Sequence, residues 1–192
     1  YRYEKNPRVF KIDLDHSVDR IEALANDAVI VGTQKSDLYF TPIALDQRFN
    51  QAPYRSASYI RQNASQGELR SHGFFYKPQG ERNGYLGLPV RGRGQPGYSH
   101  LTQDSASILF LKHQNLQFQN MGELYSHLNE RPNDGCKASC VDWYGNARPL
   151  FLKGRVFALL GYEIVEGKID SDHLYEKQRV DYSRVIRMEE NR

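Results

Sequence analysis

Short apolar runs separated by turn-forming residues are the dominant pattern along the chain. Apolar and charged residues alternate over 10–14, which is the period of a half-buried strand. Three-residue apolar spacing over 18–24 fits either a bent strand or a single helical turn. Two apolar runs follow, 28–32 and 37–45, and Pro42 in the second indicates an edge strand or a bulge.

A comparable layout of strands and turns recurs twice. The later predicted strands cover 73–77, 85–90, 106–111, 148–152, 155–161 and 162–167. The tail, 174–188, is interpreted as a last strand or a frayed helix. Because no long helical run links successive strands, the pattern disfavours a parallel α/β fold. Close spacing with short turns favours an antiparallel sandwich, barrel or propeller.

One segment has helical rather than strand spacing. Met121, Leu124, Tyr125 and Leu128 stand at i, i+3, i+4 and i+7, which is one face of a helix. The spacing predicts one short helix near 119–129.

Three stretches carry a resemblance to a known class of repeat. The stretch VDRIEALANDAVIVGTQKSDLYFTPIAL (18–45) and the stretch RVFALLGYEIVEGKI (155–169) resemble propeller blades, and RVFKIDLD (8–15) resembles a closing strand. Over 8–45 and 148–169 the chain is similar to secreted bacterial β-propeller repeat proteins.

The resemblance implies an all-β fold of antiparallel four-stranded blades of β-propeller type, in a single β-rich domain spanning 1–192. Four blades of about 45 residues fit this length, and otherwise neighbouring chain completes a larger ring. It also implies an extracytoplasmic location, in the periplasm, at the cell surface or secreted.

Charge and hydropathy narrow the classes of partner. The net charge is only +3, from 26 basic and 23 acidic residues, and the excess is spread along the chain. A dedicated nucleic-acid domain concentrates basic charge on one face, so we expect no nucleic-acid partner. No apolar stretch approaches 18 residues, so we expect no transmembrane helix.

The two cysteines, Cys136 and Cys140, are spaced CKASC. A short-range disulfide fits an extracytoplasmic loop and would fix its shape, with an entropic contribution of roughly 2 kcal/mol. Two reduced buried thiols are the second interpretation, and a metal pair is the third. Structural zinc takes four ligands from two paired motifs, and a second pair is absent from the sequence.

The sequence contains no motif for catalysis, cofactor binding or metal binding. The six histidines form no H-E-x-x-H pattern, no G-x-S-x-G elbow is present, and Arg91-Gly92-Arg93-Gly94 matches neither phosphate-binding fingerprint. The alternative hypothesis is a hydrolase or lyase with its site at the propeller mouth. It requires ionisable residues to converge, for example His72 with Glu68 and Asp104.

The leading hypothesis is a non-enzymatic binding or structural module that contacts a protein partner or belongs to a larger assembly. Function on such platforms is carried by loops, and the long ones predicted here are 46–70, 91–105 and 129–147. Arginine and aromatic residues dominate binding surfaces. The candidate partner-binding residues are Arg91, Arg93, Tyr98, Trp143, Tyr144 and Arg148.

Overall fold

The computed structural model describes residues 9–45, 52–67, 71–92, 106–126, 147–161 and 163–181. These residues form fourteen strands, β1 to β14, and a single turn of 3₁₀ helix at Ser71–Gly73. All strand pairs among them are antiparallel, which confirms the predicted all-β, antiparallel class. The described residues form three separate sheets and no closed barrel or propeller ring.

The first sheet is a meander, in which consecutive strands are neighbours. Its strands are β1 (Arg20–Leu24), β2 (Asp27–Gln34), β3 (Asp37–Ala44), β4 (Tyr54–Arg55) and β5 (Tyr59–Arg61). The two short strands, β4 and β5, both pair with β3. The strand alternative for 18–24 is therefore the correct one.

The second sheet lies in the middle of the molecule. Its strands are β6 (Ala64–Gln66), β7 (Phe75–Gly80), β8 (Asn83–Gly92), β9 (Ala106–Gln114) and β10 (Gln117–Tyr125). The order is β10-β9-β8, and both β6 and β7 pair with β8.

The third sheet is again a meander, in simple order. It consists of β11 (Ala147–Leu152), β12 (Arg155–Leu160), β13 (Glu163–Asp170) and β14 (His173–Asp181). The tail is thus a strand as far as Asp181, and 182–192 lie outside the described residues.

Two apolar clusters hold the sheets in a stack. One lies between the first and second sheets and includes Val31, Phe40 and Leu109. The other lies between the second and third and includes Phe110 and Val165. The middle sheet is covered on both faces, so side chains on both faces of β9 are buried and its sequence contains a continuous apolar run. Each fully buried leucine or phenylalanine contributes roughly 1.5–3 kcal/mol.

The three sheets stack in the order in which they occur along the chain. The first long strands of the sheets lie beside one another, since β7 contacts both β1 and β11. At the other side of the stack, β10 contacts both β5 and β14. The strands at both edges of the middle sheet therefore contact a strand of each neighbouring sheet.

The helix expected near 119–129 is wrong over its described part, because β10 continues to Tyr125. A β-bulge between Asn120 and Gly122 inserts one extra residue into the strand. The bulge turns Met121 and Leu124, three residues apart, into the same cluster. The buried apolar residues of a bulged strand can therefore have the same spacing as those of a helix.

The strand expected at 10–14 is also wrong. This segment forms no strand, and its side chains Ile12 and Leu14 pack on the outer face of the first sheet. Pairing with β2 starts only where Ser17 N donates to Thr33 O at 3.0 Å. The backbone at Ser17 lies directly against Gly32, where no side chain would fit, since a Cβ there would lie 1.7 Å from the Ser17 carbonyl oxygen.

Candidate functional site

The stack has two rims with different connections. At one rim, β8 ends and β9 begins, with Arg91 paired to Ala106, and the end of β10 pairs with Ser107. The chain leaves this rim at Gly92 and Ser126, and re-enters at Ala106 and Ala147. We call it the long-loop rim, because the segments 93–105 and 127–146 start and end there.

At the opposite rim, which we call the tight-turn rim, consecutive strands of the second and third sheets are joined by two-residue turns. They lie at Asn115–Leu116, Lys153–Gly154 and Ser171–Asp172, and every one of these residues has a positive φ, between 48° and 76°. Two-residue hairpin turns of this kind match the twist of the flanking strands. Lys112 and Asp172 form an ion pair near this rim, at 2.8 Å, between the second and third sheets.

A buried carboxylate joins the first and second sheets at the long-loop rim. Arg61 Nε donates to Glu123 Oε1 at 2.7 Å, and Ser107 Oγ donates to Glu123 Oε2 at 2.7 Å. The Glu123 side chain is only 5% exposed. We call Arg61, Ser107 and Glu123 the first clasp.

The same arrangement joins the second and third sheets. Ser126 Oγ donates to Glu163 Oε2 at 2.5 Å, and an Arg179 guanidinium nitrogen donates to Glu163 Oε1 at 2.6 Å. Arg179 also donates to the Tyr125 carbonyl oxygen at 2.9 Å. Glu163 is 1% exposed. We call Ser126, Glu163 and Arg179 the second clasp.

Both glutamates satisfy the requirements for a buried charge. Each has an arginine partner and a serine donor, so both carboxylate oxygens are hydrogen-bonded. Removing one partner of such a buried pair leaves an uncompensated charge and costs about 3–5 kcal/mol. Burial raises the pKa of the Tyr125 phenol, and the charge of Glu123 and a hydrogen bond to it raise this pKa further.

The chemistry of the clasps is structural rather than catalytic. Each serine hydroxyl donates to a carboxylate that an arginine already neutralises, and activation of a serine requires a base that accepts its proton. The part of the chain that the structure describes brings no three His, Cys, Asp or Glu side chains together as metal ligands.

Two open surface cavities lie away from this rim. One, of about 340 Å³, is lined by Lys112, Asn115 and Phe118 among others, at the tight-turn rim. The other, of about 320 Å³, is lined by Arg155, Glu166 and Lys177 among others, on the third sheet. In the second, Arg155 and Lys177 both bind the Glu166 carboxylate, at 2.7 Å and 3.0 Å.

The structure places two of the six predicted partner-binding residues, both at the long-loop rim. Arg91 is half-buried near the end of β8, and Arg148 is half-buried at the start of β11. Arg148 Nε is buried without a hydrogen-bond partner. The other four lie outside the described residues, so their role stays a prediction: Arg93, Tyr98, Trp143 and Tyr144.

The cysteine and histidine hypotheses also depend on residues outside the described ranges. Cys136 and Cys140 both lie there, so the disulfide stays a prediction. His72 is exposed on the 3₁₀ turn, but Glu68 and Asp104 lie outside the described ranges. Their convergence with His72 stays a prediction of the enzyme alternative.

The sequence analysis missed both clasps. Glu123 lies within the predicted helix near 119–129 and Glu163 within the predicted strand 162–167, and the sequence pattern assigns neither side chain a role. A signal was present, because Glu163 stands two residues before Val165 and so faces the core side of β13. Charged residues at inward-facing strand positions require partners, which could have been sought near the strand ends.

Comparison of the chain with protein-family models, with curated proteins and with solved structures found no match. Among the described residues, no helix has the length and apolar character that a membrane crossing requires.

Proposed function

We propose that the chain is a non-enzymatic binding module that presents its long-loop rim to a protein partner within a larger assembly. One observation carries the proposal. The segments 93–105 and 127–146 are the longest between described strands, and both are rooted at the same rim. Binding residues are found disproportionately on loops that a rigid scaffold positions.

The composition of these segments favours a protein partner. The six predicted partner-binding residues, four in these segments and two on the adjoining strand ends, are three arginines and three aromatics, which are the residue types enriched at interface hot spots. Aromatic anchors supply apolar contact area, and arginines pair with carboxylates. We therefore expect a partner surface that combines acidic and apolar side chains.

The arrangement of sheets supports a propeller as the scaffold. Consecutive antiparallel sheets stack face to face, and β7 contacts both β1 and β11, as successive inner strands do in a propeller. The outer face of the third sheet is apolar and uncovered at Leu152 and Ile164, which are 60% and 38% exposed. A further sheet stacked there would continue the series.

An extracytoplasmic location is part of the proposal and depends on the cysteine pair. We expect Cys136 and Cys140 to form a disulfide in the protein purified from its own cells. Peptide mapping without reduction, after alkylation of free thiols, measures this directly. Quantitative alkylation of both cysteines would contradict the disulfide and remove this argument for the location.

Site-specific photocross-linking in the cells that produce the chain tests the binding rim. A photoreactive residue replaces Tyr98 or Trp143, and matched controls replace Asn115 or Ser171 on the tight-turn rim. We expect the first two positions to cross-link one common partner protein and the controls not to. Cross-links of equal yield from both rims, or none from the long-loop rim, would contradict the proposal.

The cross-linked partner then permits a measurement of affinity. Arg91→Ala and Arg148→Ala should each weaken binding of the purified partner by about tenfold, as expected for residues that cost more than about 1 kcal/mol on truncation. Lys153→Ala, on the tight-turn rim, is the control and should leave affinity unchanged.

A further inference from the structure

The last residues of β10 are held from both sides of the middle sheet. On the side of the first sheet, Glu123 accepts hydrogen bonds from Arg61 and Ser107. On the side of the third sheet, Ser126 Oγ binds Glu163, and the Tyr125 carbonyl oxygen accepts from Arg179. The two clasps therefore converge on 123–126, where the chain leaves β10.

The backbone of this end of β10 is paired on one side only. β10 is the edge strand of its sheet and has a ladder neighbour, β9, on one side only. Strand ends at sheet edges open locally at a lower free energy than the core does. Hydrogen bonds to buried charged groups are among the stronger ones, at about 1.5–3 kcal/mol each, so they can close such an end.

We propose that Glu123 and Glu163 are positioning residues, which fix the direction in which the chain leaves β10 at Ser126. In the binding module they would set how the segment 127–146 is presented to the partner. That last step rests on the proposed function, whereas the fixing of the β10 end does not.

A general contribution to stability is the competing explanation, and the opposite rim supplies its control. The Lys112 Nζ atom lies 2.8 Å from both carboxylate oxygens of Asp172 and also joins the second and third sheets. If the second clasp only held the sheets together, breaking either pair would have the same local effect. If it positions the β10 end, only the clasp variants will alter that end.

The experiment compares Ser126→Ala and Glu163→Gln with Asp172→Asn in the full chain, without a partner. Hydrogen exchange measures opening of the amides at 123–126. Acrylamide quenching of Trp143, the single tryptophan, reports on the segment that follows. We expect about tenfold faster exchange at 123–126 in both clasp variants, together with changed quenching, because one strong hydrogen bond is lost. Asp172→Asn should change neither.

Two results would overturn the proposal: unchanged exchange and quenching in Ser126→Ala, or equal changes in Asp172→Asn. Ser126→Ala removes only a hydroxyl and so keeps the test available if Glu163→Gln does not fold. Failure of the proposed function is a separate result. If quenching changes as expected but the long-loop rim yields no cross-links, the proposal of a binding module is contradicted, whereas the positioning role of the glutamates is not. If the partner binds the clasp variants and the unmodified chain equally, the proposed role of the clasps in presenting the segment 127–146 to the partner is contradicted.

Discussion

His113 is a titratable ring inside the core between the first two sheets. It is fully buried, its Nδ1 lies 3.0 Å from the Tyr76 hydroxyl, and its Nε2 has no hydrogen-bond partner. Burial lowers the pKa of His113, and this outweighs the opposing effect of the nearby Asp27 carboxylate. The folded protein therefore holds this ring neutral at a pH where the unfolded chain has begun to protonate it.

This lowered pKa predicts a loss of stability on mild acidification. At a pH above about 6.5, the pKa of histidine in the unfolded chain, the ring is neutral in both states and its titration does not change the free energy of unfolding. As pH falls below about 6.5, the unfolded chain binds a proton that the folded protein does not, so the free energy of unfolding decreases. The slope for one proton is at most about 1.4 kcal/mol per pH unit. Urea unfolding between about pH 7.5 and pH 5 measures it.

His113→Gln should flatten this dependence, because glutamine does not titrate, and His173→Gln, at an exposed position, should not. An equally steep dependence in His113→Gln would contradict the prediction. Glu166 does not interfere in this range. Hydrogen bonds from Arg155 and then Lys177 lower its pKa to about 2, so its contribution is lost only as pH falls below its ordinary value of 4.5.

At the scale of elements, alternation and turns predicted most of the long strands but not the short ones. β2, β3, β9 and β12 match predicted runs, because each contains consecutive apolar residues of which several are buried. The strands β4, β5 and β6, of two or three residues, lie in a stretch interpreted as a loop. Such strands contain too few residues to show an alternating pattern. They form only because a longer neighbouring strand provides partners for their backbone hydrogen bonds.

The bulge in β10 depends on Gly122. Its φ is +136°, a conformation that side chains other than glycine rarely adopt, and a Cβ there would lie 2.7 Å from the Leu174 carbonyl oxygen. Gly122→Ala should therefore lower the free energy of unfolding by more than about 2 kcal/mol, from backbone strain and close contact together. Chemical denaturation measures the loss.

Gly154→Ala is the matched control for this substitution. Gly154 also has a positive φ, of +76°, but a Cβ there would meet nothing within 4 Å. We expect Gly154→Ala to lower the free energy of unfolding by about 1 kcal/mol, from the backbone conformation alone. Equal losses in the two variants would show that contact with β14 does not constrain the bulge.

At the scale of the whole molecule, the sequence predicted where chain segments leave the sheets but not what joins the sheets. Arg91 and Arg148 lie at the long-loop rim as strand ends, and strand ends are visible in a sequence. The clasps pair residues far apart in the chain: 62 positions separate Arg61 from Glu123, and 37 separate Ser126 from Glu163. Only the stacking of sheets brings such residues together, so a local pattern cannot reveal them.

Stacking also distinguishes the two outer faces of the molecule. Ile12 and Leu14 cover that of the first sheet, whereas Leu152, Ile164 and Val180 of the third sheet are 60%, 38% and 52% exposed. Ile164 and Val180 are paired neighbours on adjacent strands, so they form one continuous apolar surface. In a larger propeller, the next sheet would pack on this surface.

Ile164→Lys tests that expectation, because a lysine there would bury a charge if another sheet stacks on it. The three described sheets should tolerate the change, with the free energy of unfolding altered by less than about 0.5 kcal/mol, as for other surface positions. The native mass of the particle purified from its own cells should fall as the assembly is lost. Leu45→Lys, at a similarly exposed apolar residue (42%) outside the third sheet, should leave that mass unchanged. A full-size assembly containing Ile164→Lys would show that this face is not where the stack continues.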